Sequence, residues 1–409
     1  MTARPAATTV ATTGHGKALR VRYRMTPWWV RVIVVFVVAR LVTTGLVLVL
    51  ASVQGRNAWT GAHPDYLDFA NMWDARWYNV IAVSGYPTHL PLTLDGQVDE
   101  NAWAFMPAYP AVVRVLMGLT GFSWEPLAVF VSLVFALGGA LLFYRLMRHS
   151  LDASASLYAV VLFCFAPLSP VLQFGYAESM QLFLLILALL LLLERRYWLL
   201  FPVVAVMALT RPTGLAFALA LGLHVICRWL TRARDPFPVR ERVAAASIAV
   251  FSGIMGFSWL MLAALVTGMP MAYTETELAW RAPYIGYQEL LPFTPWFQSG
   301  AWWFGVPLGA IVVIALLIGF ALLLFTPAVV RLGVDLRLWL ASYALYLFAV
   351  FFPQSSVFRL LMPMFPLLGA VAQPRSPLYR VAIVVLFVAL QWGWLLLCWG
   401  IDGADWSPP

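Results

Sequence analysis

Residues 29–54 read WVRVIVVFVVARLVTTGLVLVLASVQ, which is long enough and apolar enough to cross a lipid bilayer as one helix. The run is too long for the core of a signal peptide and lacks a clear small-residue cleavage site, so we expect it to stay attached. Similar apolar runs follow at 126–147, 154–172, 178–193, 197–210, 213–230, 243–267, 302–326, 336–352, 358–372 and 379–400. The sequence therefore predicts an all-α polytopic membrane protein with a bundle of about eleven transmembrane helices.

The composition excludes a soluble enzyme, a disordered chain and a disulfide scaffold. Of the 409 residues, 62% are hydrophobic and only 11% are charged, whereas about 25% of the residues in a soluble domain are charged. The net charge of +8 does not indicate a nucleic-acid partner, because the Lys and Arg residues fall at the ends of the apolar runs. The three cysteines, Cys164, Cys227 and Cys398, lie in or beside apolar runs, and we expect them to be buried as small hydrophobic side chains.

The segment 104–121 is ambiguous, because it is apolar but contains Pro107, Pro110 and Arg114. If it lies at the outer surface, most of the 26 Lys and Arg residues fall on the cytoplasmic side, as the positive-inside rule requires. We therefore expect a multi-pass protein of the cell membrane with its chemistry on the extracytoplasmic side. The predicted organisation is a disordered cytoplasmic tail at 1–27, a single transmembrane domain at 28–400 with long outer loops at 55–125 and 268–301, and a short outer tail at 401–409.

The first outer loop contains the stretch DYLDFANMWDARWYNVIAVSG, which begins at Asp65 and ends at Gly85. Its apolar residues recur at helical spacing, so we expect one amphipathic helix that lies in the outer headgroup region. Asp65 and Asp68 are typical of a helix start, and Gly85 is typical of a helix end. Trp73 and Trp77 are four residues apart and would anchor this helix at the interface.

Asp74 is the candidate general base of this loop. The pattern places it in the middle of the predicted helix, where aspartate is a poor helix former and has no capping role. Partial burial against the membrane would raise its pKa toward a useful range. Arg76 is a possible ion-pair partner, although residues two apart do not face each other on a helix. The alternative is that Asp74 is an exposed charge on the polar face.

Two arginines at outer helix ends suggest an anionic ligand. Arg211 in LTRPTG and Arg359 in SSVFRLLMP lie where the positive-inside rule disfavours them. An outward Arg among apolar residues requires an anionic partner, and the guanidinium fork suits a phosphate. A lipid phosphate held by both arginines is one interpretation, and pairing with Glu178 or with an ordinary phospholipid headgroup is the other. Glu178, in QFGYAES, either positions a sugar or acceptor hydroxyl group or caps the next helix.

The remaining outer-loop signals are weaker. Tyr109 in FMPAYP either walls a cavity or wedges the loop into the headgroups, and the isolated His63 either binds a sugar or lies on the loop surface. The loop 268–300 offers aromatics that stack on carbohydrate, although aromatics also form interfacial belts; its polar and aromatic residues are Glu275, Glu277, Trp280, Arg281, Tyr284 and Tyr287. No Walker, Rossmann, zinc or nucleophile-elbow pattern is present, so we expect neither a cofactor nor a metal.

Several of these motifs, in this order, resemble one family. They are WDARWYNVIAVSGY (73–86), AFMPAYP (104–110), FGYAESMQLFLLILALLLL (174–192) and LTRPTG (209–214), with a weaker echo in SSVFRLLMP (355–363). They are similar to the PIG-V family, the second mannosyltransferases of GPI-anchor assembly, and the Arg-, Ala- and Val-rich composition suits an actinobacterial member. The resemblance covers roughly residues 70–215.

The resemblance implies an integral membrane glycosyltransferase of the GT-C type, with a polyprenyl-phosphate-linked mannose as donor. An acidic residue of the first outer loop acts as the base in this fold, which maps onto Asp74. The Arg76, Trp77 and Tyr78 triplet stands where eukaryotic members have His-Phe, and bacteria generally lack GPI anchors, so the acceptor does not carry over. Mannose rests on the resemblance alone, and no residue excludes arabinose or another polyprenyl-linked sugar.

The predicted reaction is an inverting transfer of mannose to a lipid-linked or glycolipid acceptor, embedded among membrane lipids. Asp74 would take the proton of the acceptor hydroxyl, and Arg211 and Arg359 would neutralise the leaving phosphate. The predicted substrate contacts are Glu178, Arg76, Trp73, Trp77, Tyr78, Tyr109, Tyr176, His63 and Asp68. The prediction requires the side chains of residues 74, 211 and 359 to meet in one pocket.

The rival interpretations are a transporter or flippase for a glycolipid and a catalytically silent scaffold. A transporter places its ionisable residues near the middle of the bilayer. In this sequence only Arg40 lies deep in a predicted span, where we expect it to pair inside the bundle. A scaffold would need neither the outward arginines nor so acidic an outer loop.

Overall fold

The computed structural model describes residues 25–289 and 291–400. The predicted outer tail at 401–409 and all but the end of the predicted cytoplasmic tail lie outside these residues. The helices are α1 Trp28–Val53, α2 Tyr66–Ala70, α3 Asp74–Ser84, α4 Ala108–Thr120, α5 Trp124–Arg148, α6 Ala153–Phe165, α7 Glu178–Leu193, α8 Tyr197–Ala208, α9 Gly214–Leu230, α10 Val239–Thr267, α11 Ala272–Ala279, α12 Ala282–Ile285, α13 Pro295–Phe304, α14 Leu308–Leu324, α15 Pro327–Val330, α16 Val334–Val350, α17 Val357–Leu360, α18 Leu367–Val371 and α19 Pro377–Trp399. Short 3-10 turns cover Ala102–Ala104, Ser169–Gln173 and Met362–Met364.

The protein is an all-α polytopic membrane protein, as the sequence predicts. Within residues 25–289 and 291–400, the helices α1, α5, α10 and α19 are long and apolar enough to cross a membrane by themselves. Shorter apolar helices, among them α6, α7, α8, α9 and α14, fill the positions of other predicted spans. Each predicted apolar run coincides with a helix or with a broken pair of helices, and the count of eleven crossings stays a prediction.

Three of the predicted apolar runs do not form one continuous helix each. The run 154–172 breaks after α6 into a 3-10 turn, the run 302–326 breaks between α13 and α14, and the run 358–372 breaks into short turns. Prolines lie at each break, and a proline removes a backbone donor and disfavours helix in the residue before it. Such breaks occur in membrane proteins where the backbone lines a cavity or is buried by neighbouring helices.

The core of the bundle is built from helices in close contact. The helix α5 packs along α7, and α9 packs between α10 and α16. A methyl group on Gly214 of α9 would meet the Cα atom of Gly256 of α10 at 2.8 Å, so this crossing requires glycine on both helices. Arg40 of α1 is buried and donates to the carbonyl oxygens of Ser169, at 2.6 Å, and Cys164, at 2.5 Å. The expected pairing of Arg40 inside the bundle is therefore confirmed.

The stretch from Asp65 to Gly85 differs from the single predicted helix. The side chain of Asp65 accepts from the amide of Asp68, so its capping role is confirmed, but α2 ends at Ala70. A new helix, α3, begins at Asp74 and ends before Gly85, whose φ is +77°. The prediction placed Asp74 in the middle of a helix, which is wrong, because the chain turns sharply before it.

Candidate active site

Four charged side chains from distant parts of the sequence meet in one buried cluster, which we call the outer cluster: Asp74, Glu178, Arg211 and Arg359. The guanidinium of Arg359 lies 3.2 Å from Glu178 Oε1 and forms a closer contact with Asp74 Oδ2. The guanidinium of Arg211 contacts Glu178 Oε1 and lies 3.5 Å from Asp74 Oδ2. Each arginine thus bridges both carboxylates.

The local structure explains how the carboxylates reach this cluster. Asp74 is the first residue of α3 and Glu178 is the first residue of α7. The first turn of a helix has unpaired N–H groups and a positive dipole end, so both positions favour a negative charge. The arginines come from non-spanning turns: Arg211 follows α8 directly before Pro212, and Arg359 lies in the single turn of α17.

The cluster compensates its own charge. It contains two carboxylates and two guanidiniums, whose side chains are between 7% and 16% exposed. Burial alone would lower the pKa of Arg211, but the charges of Glu178 and Asp74 outweigh it and hold the pKa of Arg211 above its ordinary value. Both arginines therefore stay charged, and removing one partner would leave an uncompensated buried charge.

Three buried polar atoms at the outer cluster have no hydrogen-bond partner in the described part of the chain. Two belong to the cluster itself, Glu178 Oε2 and Arg359 Nε, and the third is Oη of the neighbouring Tyr78. Tyr78 is fully buried, and its pKa is raised by burial while the four charges of the outer cluster act on it. Buried polar atoms are nearly always paired in folded proteins, so three unpaired atoms around one site require an explanation, and a role in binding or catalysis supplies one.

Trp73 positions the catalytic candidate through an unusual backbone conformation. Its φ is +57°, a value that is rare for a bulky residue. The indole Nε1 donates to the carbonyl of Cys398 at 3.0 Å, and the ring packs against Trp59 at 5.5 Å between centroids. The side chain is thereby fixed on the C-terminal helix α19, and the turn aims Asp74 inward. Strain of this kind persists where surrounding contacts overdetermine it and is concentrated at functional sites.

The aromatic candidate Tyr176 lies at the outer cluster. Its ring centroid is 5.3 Å from the Arg359 guanidinium carbon, a cation–π distance, and the side chain is fully buried. Sequence reasoning missed two residues next to Tyr176 and Asp74, namely Gly175 and Asn71. A methyl group on Gly175 would meet Asn71 Oδ1 at 2.5 Å, so the chain passes the turn before Asp74 at minimal distance. The glycine in QFGYAES was the available signal, but the sequence does not show which backbone it approaches.

Two predicted substrate contacts have structural partners instead. The Tyr109 hydroxyl is buried, donates to the carbonyl of Ala128 at 2.9 Å and lies 3.0 Å from Ser132 Oγ. His63 is exposed, and its Nδ1 lies 2.7 Å from the carbonyl of Ser52. These contacts fix the loop on its flanking helices, and neither side chain joins the outer cluster.

Two charged residues of the same stretch also stay outside the outer cluster. Arg76 is exposed, donates to the carbonyl of Trp59 and lies over its ring at 5.9 Å, so it does not pair with Asp74. Asp68 is exposed at the start of α2, where its amide is bonded to Asp65. Residues two apart on a helix point in different directions, which explains why Arg76 faces away from Asp74.

The outer cluster combines groups that can bind an anion with a group that can accept a proton. Guanidinium groups bind phosphate through paired donors, and a carboxylate beside them accepts a proton. Within the described ranges, no group of three or more His, Cys, Asp or Glu side chains could hold a metal ion. The two carboxylates that come together, Asp74 and Glu178, are both bridged by arginine.

Comparisons with known proteins give limited similarity. A scan against protein-family models finds no match. No curated protein matches the chain either.

Among solved structures, the chain is similar to the archaeal oligosaccharyltransferase AglB from Archaeoglobus fulgidus in complex with an inhibitory peptide and a dolichol-phosphate. The identity is 14%, the TM-score is 0.43, and the match covers 89% of this chain and 55% of that one. A second structure, the same organism's oligosaccharyltransferase tethered to an acceptor peptide, matches at 12% identity and a TM-score of 0.40, over 88% of this chain and 53% of that one. The chain thus spans about half the length of the proteins it matches, and scores this low do not establish a common fold.

Proposed function

We propose that this protein is an integral membrane glycosyltransferase of the GT-C class. It transfers a sugar from a polyprenyl-phosphate-linked donor to a lipid-linked or glycolipid acceptor on the extracytoplasmic face, and its family resemblance favours mannose. The observation that carries the proposal is the outer cluster, in which two arginines and two carboxylates surround unsatisfied polar atoms in a membrane protein. Such a site suits an anionic, hydroxyl-bearing ligand with a lipid tail.

The arginines bind the donor phosphate. Arg211 and Arg359 are bridged by carboxylates in the free protein, so an incoming phosphodiester competes with Asp74 and Glu178 for the same donors. The free Nε atom of Arg359 adds a donor that no residue of the described part of the chain uses. As the phosphate takes over the guanidiniums, Asp74 loses its strongest partner and becomes available as a base.

The reaction is a single inverting displacement. The acceptor hydroxyl oxygen forms a bond to the anomeric carbon, and the bond between that carbon and the phosphate oxygen breaks. The electron pair stays on the polyprenyl phosphate, whose charge the two arginines stabilise. Asp74 receives the proton of the acceptor hydroxyl and is regenerated by losing this proton to solvent. The anomeric configuration is inverted because the displacement occurs in a single step.

Glu178 and Tyr78 orient the reactants. One oxygen of Glu178 holds both arginines, and the other has no partner within the described residues and is free to accept from a substrate hydroxyl. The Tyr78 hydroxyl is likewise free, and its raised pKa keeps it protonated as a donor. Both groups thus contribute hydrogen bonds to the reactants beside Asp74.

The test is a transfer assay with purified protein in lipid nanodiscs. Polyprenyl-phosphate-[14C]mannose and an extract of membrane lipids are supplied, and labelled glycolipid is separated from the donor. The expected result is labelled product whose anomeric configuration, determined by NMR, is inverted relative to the donor. The Asp74→Asn variant keeps the shape of the side chain and serves as the matched blank. We expect it to lose at least about 100-fold in turnover, because general-base catalysis contributes about 10²–10⁴-fold.

Two outcomes would contradict the proposal. If wild-type protein gives no labelled product with mannosyl, arabinosyl or glucosyl donors while a fluorescent glycolipid crosses the bilayer of proteoliposomes, the protein is a flippase. If Asp74→Asn has an unchanged elution profile and retains near-normal turnover, the base is a different residue.

A further inference from the structure

The second outer loop brings a carboxyl group toward the outer cluster. Its helix α11 is fixed on the first outer loop, where the Asn101 side-chain amide donates to Thr276 Oγ1 at 2.9 Å. Directly after α11, Arg281 donates to the carbonyl of Val350 at the end of α16, at 2.9 Å. These two contacts hold the C-terminal half of α11 on either side of Glu277 in the sequence, so its position is defined.

Glu277 is a half-buried carboxyl group without an ion-pair partner in the described part of the chain. Arg281, four residues later, and Arg211 of the outer cluster both lie close enough to act on it electrostatically, and the Tyr273 hydroxyl, one helical turn earlier, lies beside it. Burial raises the pKa of Glu277 above its ordinary value. A carboxyl group accepts from a hydroxyl group, and in its protonated form it also donates to one.

An aromatic wall extends from Trp280, three residues after Glu277, to Tyr78 beside the outer cluster. The Trp280 ring lies 5.9 Å from Trp77 and 5.8 Å from Phe105, and Trp77 stacks on Phe105 at 5.6 Å. Phe105 in turn contacts Tyr78 at 5.4 Å, edge to face. The indole Nε1 of Trp280 is buried and has no acceptor within residues 25–289 and 291–400. The wall therefore presents apolar ring faces together with an unused hydrogen-bond donor.

We propose that Glu277 and Trp280 form the subsite for the transferred sugar, in which Glu277 binds one of its hydroxyl groups and the aromatic wall contacts its apolar face. A pyranose has this combination of a C–H face and peripheral hydroxyl groups. Arg211 lies near Asp74 and also acts electrostatically on Glu277, which matches a donor whose phosphate joins the sugar to its lipid. This inference rests on the proposed function and names the residues that select the sugar.

The experiment measures how Glu277 is coupled to individual sugar hydroxyls. Wild-type and Glu277→Ala proteins are assayed with polyprenyl-phosphate-mannose and with donors that lack the 2-, 3-, 4- or 6-hydroxyl group. In the wild type, one deoxy donor is expected to lose about 10–100-fold in kcat/KM, because it leaves a buried polar group unpaired. In Glu277→Ala the same deoxy donor is expected to perform as well as the full donor.

Matched variants separate recognition from structure. Glu277→Gln keeps a hydrogen-bonding group and is expected to retain the discrimination, and Trp280→Phe keeps the ring but loses the indole N–H and should raise the donor KM. Glu275→Gln is the control on the same helix, since Glu275 lines a separate cleft of about 740 Å³ with His89 and Tyr287. Residues two apart on a helix point to different faces, so this control should behave like the wild type.

The outcomes distinguish the subsite from the function. If wild type discriminates among the deoxy donors and Glu277→Ala keeps the same pattern, the subsite assignment is wrong while the transferase stands. If Glu277→Ala does not fold, the Trp280→Phe variant decides the matter: a raised donor KM supports the subsite, and an unchanged donor KM overturns it. If wild type transfers no sugar from any donor, the proposed function and this inference fall together.

Discussion

Two buried networks of charged side chains lie at opposite ends of helix α8, and they differ in how completely their polar atoms are paired. We call the second one the inner network: Tyr197 at the start of α8, His224 in α9 and Asp335 at the start of α16. The Tyr197 hydroxyl lies 3.0 Å from His224 Nε2, and His224 Nδ1 lies 2.6 Å from Asp335 Oδ1. Both ring nitrogens of His224 are thus engaged.

The outer cluster contrasts with this arrangement. It holds as many arginines as carboxylates, yet Tyr78 Oη, Glu178 Oε2 and Arg359 Nε have no partner among the described residues. His224 lies ten residues into α9, roughly 15 Å along the helix axis from the end that follows Arg211, so the two networks lie at different levels of the bundle. A fully paired network joins helices, whereas an incompletely paired one has capacity left for a ligand.

The largest effect is expected from removing one guanidinium from the outer cluster. Arg359→Gln leaves two buried carboxylates with a single arginine, so we expect a loss of about 3–5 kcal/mol in the free energy of unfolding. Transfer should fall by at least about 100-fold, because the leaving phosphate loses a positive charge. Thermal unfolding in detergent and the sugar-transfer assay measure the two effects separately.

The counterpart in the inner network is Asp335→Asn. This change removes the carboxylate that faces His224 Nδ1, and we expect a loss of about 1–3 kcal/mol in the free energy of unfolding. Turnover per folded molecule should stay unchanged, because the network has no part in the proposed reaction. A lower turnover in fully folded Asp335→Asn protein would show that the inner network also serves the reaction, which would contradict the distinction between the two networks.

An intermediate effect is expected where the chain passes closest to the turn before Asp74. Gly175→Ala would place a methyl group 2.5 Å from Asn71 Oδ1, and we expect a cost of about 1–3 kcal/mol together with weaker donor binding. The control is Gly118→Ala in α4, where nothing lies within 4 Å of the added methyl group. That control should stabilise α4 by about 0.5–1 kcal/mol. Equal thermal stabilities for the two variants would contradict the assignment of close packing at Gly175.

The smallest and sharpest effect comes from a pair of tyrosines that differ only in whether the hydroxyl is bonded. Tyr78→Phe removes an unpaired buried hydroxyl, so the free energy of unfolding should stay equal or rise by up to about 1 kcal/mol, while transfer falls. Tyr197→Phe removes a hydroxyl bonded to His224, so stability should fall by about 1 kcal/mol at constant turnover. Parallel changes in both variants would remove the distinction between the networks.

The positions of the helices were largely predictable, but their breaks were not. Apolar periodicity located α1, α5, α10 and α19 to within a few residues, because lipid imposes length and composition on a spanning helix. The break before Asp74 was missed, because no glycine or proline marks it. Trp73, at the break, has a positive φ, and its indole is bonded to Cys398, more than three hundred residues away along the chain, which no local pattern reveals.

The sequence by itself determined the class of the protein and the candidates for its chemistry. Long apolar runs in a charge-poor chain predict helices in lipid, and an acidic aromatic loop together with two arginines predicted at outer helix ends restricts the chemistry to few residues. Only the tertiary structure decided that Arg211 and Arg359 reach Asp74 and Glu178, while Arg76, Asp68, His63 and Tyr109 bind other groups. The physical reason is that charge pairing under burial depends on the crossing of helices far apart in sequence, and local patterns carry no information about that crossing.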